Sequence, residues 1–107
     1  MADTSKKVSV FMITYNHEKY IAEALDSILM QKTDFDFDIV IGEDCSTDAT
    51  RRIVLEYSRK YPDKIKLLLH NVNVGFISNL MYVLEACTGK YVAMCEGDDY
   101  WTDPFKL

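Results

Sequence analysis

Two kinds of apolar pattern alternate along the chain, and each predicts a different element. Short continuous runs rich in β-branched and aromatic residues predict strands, which we place at residues 8–13, 39–41, 65–69 and 91–95. Between them, apolar residues recur every three or four positions and predict helices, which we place at residues 18–29, 49–61 and 77–86. The order β-α-β-α-β-α-β with short connections predicts one α/β domain with a mainly parallel sheet and flanking helices.

Several finer expectations follow from the same pattern. Asn16 is expected to end the first strand as a turn residue or a helix N-cap. The fourth strand is expected to be buried, and Gly89 is expected to cap the third helix. The residues of that helix expected to point inward are Leu80, Val83 and Leu84.

A polar cluster follows each predicted strand. The clusters are Thr14-Tyr15-Asn16, Glu43-Asp44, Asn71 to Gly75, and Glu96-Gly97-Asp98-Asp99. Because the carboxyl ends of parallel strands meet at one edge of a sheet, we expect the four clusters to form one site. The alternative is four unrelated loops, since turns favour Asn, Asp and Gly for local reasons.

The last cluster places three carboxylates within four positions. Adjacent carboxylates in a partly desolvated turn repel one another, so they need either a shared proton or a cation. Hard divalent cations prefer oxygen ligands, and the sequence therefore predicts a metal at Asp98 and Asp99.

Composition narrows the class of ligand. The 107 residues are 49% hydrophobic and 27% charged, which is typical of a globular domain. The net charge of −5 leaves no basic face, so no nucleic-acid partner is expected. A phosphorylated ligand would need a metal or backbone N–H groups to offset its charge.

Other motifs are absent. The three cysteines form no C-x-x-C pair, which argues against a disulfide framework or structural zinc and favours a reducing, cytoplasmic setting. The polar start of the chain lacks the apolar stretch of a signal peptide. There is no dinucleotide fingerprint, P-loop or serine nucleophile elbow. His17 and His70 are interpreted as solvated loop residues.

A family resemblance joins these clusters. Tyr15-Asn16 after a strand, Ser27-Ile28-Leu29 with Gln31, and the stretch 43–50 resemble family-2 glycosyltransferases. Two further spacings are similar to that family, namely Asn73-x-Gly75-x-x-x-Asn79 and Ala86-x-x-Gly89-x-Tyr91. The stretch 96–101 resembles its DxD-type motif, and the resemblance extends from about Val8 to Leu107.

The resemblance implies a Rossmann-like GT-A fold that binds a nucleotide-diphosphate sugar, with a UDP-sugar favoured, together with Mg²⁺ or Mn²⁺. It implies that Tyr15 lines the nucleobase pocket and that Asp44 hydrogen-bonds the base. Gly75 and Asn79 would flank the nucleotide. Asp98 and Asp99 would contact the ribose and the metal, and the resemblance does not distinguish which of the two ligates the metal. Thr14 and Asn16 are grouped with the substrate-binding residues.

Two departures from the family pattern stand out. Glu43 and Glu96 occupy positions where the family commonly has Asp. The general base of the family lies downstream of Leu107, so no catalytic residue is assigned here. We therefore expect residues 1–107 to be a single nucleotide-sugar-binding subdomain, the amino-terminal part of an inverting enzyme.

The wider expectations concern partners and place. The resemblance implies a saccharide or lipid-linked acceptor and a role in bacterial polysaccharide biosynthesis. The expected location is the cytoplasm, with peripheral association at the cytoplasmic face of the membrane as an alternative. Two other functions stay open, a receiver-like signalling module that binds Mg²⁺ and a nucleotidyltransferase. The second usually has a Gly-rich and basic loop after its first strand, which is absent here.

Overall fold

The computed structural model describes residues 7–104 and 106–107, so the polar start at residues 1–6 lies outside the described part. A four-stranded parallel sheet is flanked by three helices in the predicted order. The strands are β1 (Val8–Thr14), β2 (Phe37–Glu43), β3 (Ile65–Leu69) and β4 (Tyr91–Met94). The helices are α1 (Ile21–Leu29), α2 (Thr50–Lys60) and α3 (Phe76–Ala86). The predicted α/β fold class is confirmed.

The spatial order of the strands is β3-β2-β1-β4, with every neighbouring pair parallel. The chain proceeds outward from β1 to β3 and then crosses back to the other side of β1. The strand order therefore reverses between β1 and β4. In open α/β sheets, ligands bind at the carboxyl ends of the strands at such a reversal.

Alternation along β1 divides the core into two layers. Val10 and Met12 are buried in one layer with residues of α1 and α2. Phe11 and Ile13 point to the opposite face and pack with Val83 of α3. Helices α1 and α2 thus cover one face of the sheet, and α3 covers the other. This packing fixes the loops that follow β1 and β4, the two strands between which the order reverses.

The predicted start of the first helix is wrong. The first helix begins at Ile21 and not at Glu18, because the His17 carbonyl accepts the N–H groups of Tyr20 and Ile21 in a preceding turn. Asn16 has φ 55° and is a turn residue, whereas the residue preceding α1 is Tyr20.

The predicted end of α3 at residue 86 is confirmed, but the predicted cap is wrong. The helix ends at Ala86, and Cys87 is already extended, so Gly89 caps nothing. Gly89 instead donates its N–H to Ser9 Oγ, and a Cβ there would lie 2.4 Å from the Ser9 nitrogen. Leu84, expected to point inward, is exposed, whereas Val83 is buried.

The prediction that the fourth strand is buried is contradicted. Tyr91 and Val92 are 55% and 51% exposed, and Met94 is also exposed. Among the described residues β4 pairs only with β1, so it forms an outer edge of the sheet. An apolar run of strand length has the same appearance at the edge and at the centre of a sheet. Within the described ranges, no helix has the length and apolar character needed to cross a membrane.

Candidate functional site

A cavity of about 420 Å³ opens at the carboxyl edge of the sheet, where the strand order reverses. All four post-strand loops contribute to its wall, so the structure brings together the clusters that the sequence singled out. Its lining residues are Ile13, Tyr15, His17, Asp44, Asn73, Gly75, Phe76, Asn79 and Glu96. Four predicted site residues are among them, namely Tyr15, Asp44, Gly75 and Asn79.

Asp44 is the most firmly held carboxylate of the cavity. Its Oδ1 accepts the Val74 N–H at 2.7 Å and its Oδ2 accepts the Gly75 N–H at 3.0 Å. Its own N–H donates to the Thr14 carbonyl at 3.1 Å, which ties it to β1. Gly75 has φ 88°, a conformation that favours glycine. A carboxylate oxygen can accept a second hydrogen bond, so Asp44 is prepared to receive an N–H donor from a ligand.

Glu43 has a different role from its neighbour. It is fully buried, accepts the Ser46 N–H at 2.8 Å, and pairs with Arg51 Nε at 2.5 Å. Arg51 also donates from Nη2 to the His70 carbonyl. The departure from Asp at this position therefore serves an ion pair that joins the loop after β2 to α2 and to the end of β3.

Asn79 borders the cavity, but its polar atoms are used within the chain. Its Nδ2 donates to the Gly42 carbonyl at 3.0 Å, and its Oδ1 lies 2.9 Å from His70 Nε2. With the amide nitrogen facing a carbonyl, Oδ1 must accept, so His70 carries its proton on Nε2. A Cβ at Gly42 would lie 2.1 Å from Asn79 Oδ1, so only glycine leaves room for this amide.

The acidic turn after β4 forms one corner of the cavity, and His17 lies against it. His17 Nδ1 is 2.9 Å from Thr14 Oγ1, and its Nε2 is 3.9 Å from Asp98 Oδ2. A Cβ at Gly97 would lie 2.4 Å from Thr14 Oγ1 and 2.7 Å from His17 Nδ1. The interpretation of His17 as a solvated loop residue is wrong, because its side chain is mostly buried and bonded. Its position directly after the Thr14-Tyr15-Asn16 cluster was the available sequence signal.

The two adjacent aspartates diverge. Asp98 is half exposed beside His17, whereas Asp99 Oδ1 accepts the Tyr100 N–H at 2.8 Å. Asp99 lines a separate cavity of about 390 Å³ with Trp101 and Lys106. Tyr100 is exposed, and Trp101 is buried against the core.

Asn16 stabilises the wall from outside. Its Oδ1 accepts the Thr47 N–H at 2.8 Å, and its own N–H donates to Ser46 Oγ at 3.0 Å. Asn16 therefore joins the loops after β1 and β2. Thr14, fully buried, contacts the cavity through His17.

Oxygen ligands at the corner suit a hard cation. Across the described ranges, no three His, Cys, Asp or Glu side chains converge on one metal position. Mg²⁺ and similar ions in nucleotide sites commonly use one or two carboxylates, with phosphate oxygens and water completing the shell. Asp98, beside His17 at the corner, therefore fits a metal that arrives with a diphosphate better than a preformed protein cage, whereas Asp99 faces the separate cavity.

Two thiols of the chain, of Cys95 and Cys87, are poor nucleophiles. Burial raises the pKa of the Cys95 thiol to about 11, and the charge of Asp99 acts in the same direction. Burial also raises the pKa of Cys87, and Asp38 contributes to that shift. Covalent catalysis by these thiols is thus disfavoured.

Comparisons with known proteins point to one family. The family model described as "Glycosyl transferase family 2" matches residues 9–106. An uncharacterized protein of Mycobacterium tuberculosis is 49% identical over 100 residues, which cover 94% of this chain and 29% of that protein.

Two solved structures share the fold. S. aureus TarS 1–349 in complex with UDP has a TM-score of 0.74 at 37% identity, covering 88% of this chain and 28% of that one. The mannosyltransferase PcManGT from Pyrobaculum calidifontis, in complex with GDP-Man and Mn²⁺, has a TM-score of 0.81 at 26% identity, covering 97% and 32%. The chain thus spans about a third of the length of these proteins.

Proposed function

The chain belongs to glycosyl transferase family 2, and from that membership we propose that it forms the donor-binding part of an enzyme that transfers a sugar from a nucleotide-diphosphate sugar. The observation that carries the proposal is the Asp44 carboxylate, fixed by two backbone N–H groups in the wall of a cavity at the strand reversal. A volume of about 420 Å³ falls within the usual range of small-ligand sites.

The chemistry of Asp44 limits the nucleobase. A carboxylate accepts hydrogen bonds, so it pairs with a base that presents a ring N–H, as uracil and guanine do. Cytosine presents a ring nitrogen acceptor at the same place and would be repelled. A UDP-sugar is favoured, since TarS, solved with UDP, is more similar in sequence to this chain than PcManGT, solved with GDP-Man.

A divalent metal, Mg²⁺ or Mn²⁺, completes the proposed site at Asp98 and Asp99. The cavity wall and its corner hold Asp44, Glu96 and Asp98, so a diphosphate needs a cation there. When bound, such a metal offsets the negative charge that grows on the leaving nucleoside diphosphate. The Mn²⁺ in the PcManGT complex supports this assignment.

The remaining parts of the proposal concern the whole reaction. We place the general base of an inverting transfer outside residues 1–107, and the acceptor is a saccharide or lipid-linked molecule of bacterial polysaccharide biosynthesis. TarS, named as a poly(ribitol-phosphate) β-N-acetylglucosaminyltransferase, acts on a polymer, which supports this class of acceptor. Three free thiols accord with a cytoplasmic location, at the membrane face or away from it.

The strand order argues against a receiver-like module. Receiver domains place the third strand beside the first in the order 2-1-3-4-5. Here β4 lies beside β1 and β3 lies at the far edge. The acidic turn after β4 therefore meets the β1 loop, which suits a nucleotide site.

Calorimetry on the 107-residue chain tests the proposal. We expect UDP with Mn²⁺ to bind, CDP with Mn²⁺ to bind at least about tenfold more weakly, and EDTA to abolish the heat. Asp44→Asn should narrow the preference for UDP over CDP, and Asp98→Ala with Asp99→Ala should remove the metal dependence. Asp63→Asn, an exposed carboxylate at the opposite edge of the sheet, is the matched control. Absence of binding by the wild type, or equal affinity for UDP and CDP, would contradict the proposal.

A further inference from the structure

His17 occupies a position that the family assignment leaves unexplained. Its backbone N–H donates to Thr50 Oγ1 at 2.8 Å, and its ring contacts Thr14 on one side and faces Asp98 on the other. Gly97 packs against both Thr14 and the ring, and a side chain at this position would clash with both of them. The Thr50 bond thus fixes the backbone of His17, and the Thr14 bond holds the ring with its other nitrogen toward Asp98.

The proton on the ring can be assigned from its two neighbours. If Nδ1 carried the only proton, the bare Nε2 lone pair would face the Asp98 carboxylate, placing two acceptors together. If Thr14 Oγ1 donates to Nδ1 instead, the proton lies on Nε2 and faces the carboxylate. The second arrangement gives Thr14 an acceptor and directs an Nε2–H toward Asp98 across 3.9 Å, an electrostatic contact longer than a direct hydrogen bond.

His17 is the lining side chain whose ring nitrogen faces Asp98, at 3.9 Å. In the described part of the cavity wall there is no Lys or Arg. The two lining amides point to other partners, since Asn73 Nδ2 donates to the Asp44 carbonyl and Asn79 Nδ2 donates to the Gly42 carbonyl. The N–H directed at the acidic corner therefore comes from the imidazole.

We propose that His17 is a positioning residue of the donor site, whose Nε2–H orients the Asp98 carboxylate toward the metal–nucleotide complex while Thr14 sets the ring tautomer. This inference rests on the proposed function. Without a fixed donor beside it, a half-exposed carboxylate samples several rotamers, and binding must then select one of them. His17 reduces that cost before the ligand arrives.

Two amide variants separate this role from simple support of the loop. The side-chain nitrogen of Gln lies near the position of His Nε2, whereas that of Asn lies near Nδ1. For UDP with Mn²⁺, His17→Gln should bind within about twofold of the wild type, and His17→Asn about tenfold more weakly. A purely structural role through Thr14 gives the reverse order, and that order would overturn the inference.

A double-mutant cycle tests whether His17 acts through Asp98. In an Asp98→Asn background, His17→Asn should weaken binding by less than about twofold, because the oriented carboxylate is already gone. An undiminished tenfold loss in that background means that His17 contacts the ligand by itself, and it refutes the positioning role.

Nuclear magnetic resonance without ligand provides an independent measurement. At about pH 8, where an imidazole is ordinarily neutral, the ring ¹⁵N shifts of His17 should report the Nε2–H tautomer. The nearly isosteric Thr14→Val should mix the tautomers while the fold persists. An Nδ1–H tautomer in the wild type contradicts the inference even if UDP binds. Failure of UDP to bind contradicts the proposed function, and the tautomer measurement then tests the role of His17 by itself.

Discussion

Arg51→Met should destabilise the domain more than any exposed charge change. The Glu43 side chain is 0% exposed and that of Arg51 is 30% exposed, so the substitution leaves a carboxylate buried with the Ser46 N–H as its remaining partner. Removing one partner of a buried pair costs about 3–5 kcal/mol. Because water reaches the outer part of Arg51, we expect about 2–3 kcal/mol here. Met retains most of the apolar stem, so lost packing contributes little.

Urea denaturation followed by fluorescence measures this loss. Trp101 is the single tryptophan of the chain and is buried against the core, so its emission reports global unfolding. With a slope of about 1.5 kcal/mol per molar urea, the midpoint should fall by about 1.3–2 M.

The neighbouring arginine is a matched control. Arg52 pairs with Glu56 one helical turn away, with side chains 67% and 56% exposed. Arg52→Met should cost no more than about 0.5 kcal/mol. In the double variant Glu43→Gln with Arg51→Met, the stranded charge is removed, so part of the stability should return. Equal effects of the two arginine substitutions, or no recovery in the double variant, would refute the reasoning.

Three further expectations follow from the geometry. Gly97→Ala should weaken binding of UDP with Mn²⁺ by at least about tenfold, since its Cβ would lie 2.4 Å from Thr14 Oγ1; wild-type affinity in calorimetry would contradict this. Burial opposes ionisation of Asp48, but hydrogen bonds from Thr50 outweigh it and lower the pKa of Asp48. The free energy of unfolding lost in Asp48→Ala should therefore be largest near neutral pH and should vanish as the pH falls through the folded-state pKa. A pH-independent difference between the two proteins in urea titrations argues against this. Because burial raises the pKa of Cys95 to about 11, its thiol should resist alkylation at pH 8 in the folded protein. The free energy of unfolding should decline from about pH 9 upward, with a smaller decline in Cys95→Ala. Rapid alkylation of the folded protein would show that the Cys95 thiol is not buried.

Local patterns were enough to predict the elements and the common edge of the site. The continuous apolar run of β1 and the helical period of α1 reflect burial within single elements, and the strand ends meet because parallel strands share a direction. The contact of His17 with Asp98 is different, since it joins positions 81 residues apart and depends on the order of the strands. No local pattern encodes that contact.

Dependence on tertiary packing also explains why the sequence does not distinguish the environments of the two glutamates. In the sequence Glu43 and Glu96 look alike, since each follows an apolar strand and begins an acidic cluster. In the structure Glu43 is buried against Arg51, whereas Glu96 is exposed and lines the cavity. Their environments are set by tertiary packing, so the same residue type at the end of two strands has two unrelated roles.

The exposed edge strand β4 gives the two halves of the site unequal local stability. Asp44 and its amide partners lie beside the buried strands β1 and β2, which should open only in global unfolding. The acidic corner follows a strand of four residues, mostly exposed, that is paired on one side. Amide exchange should therefore be faster from Tyr91 to Gly97 than in β1 and β2, and a ligand that bridges both halves should slow it there first. A bound donor would then stabilise the acidic corner that holds its metal. The affinity for the donor would depend on the fraction of molecules in which β4 is already paired with β1.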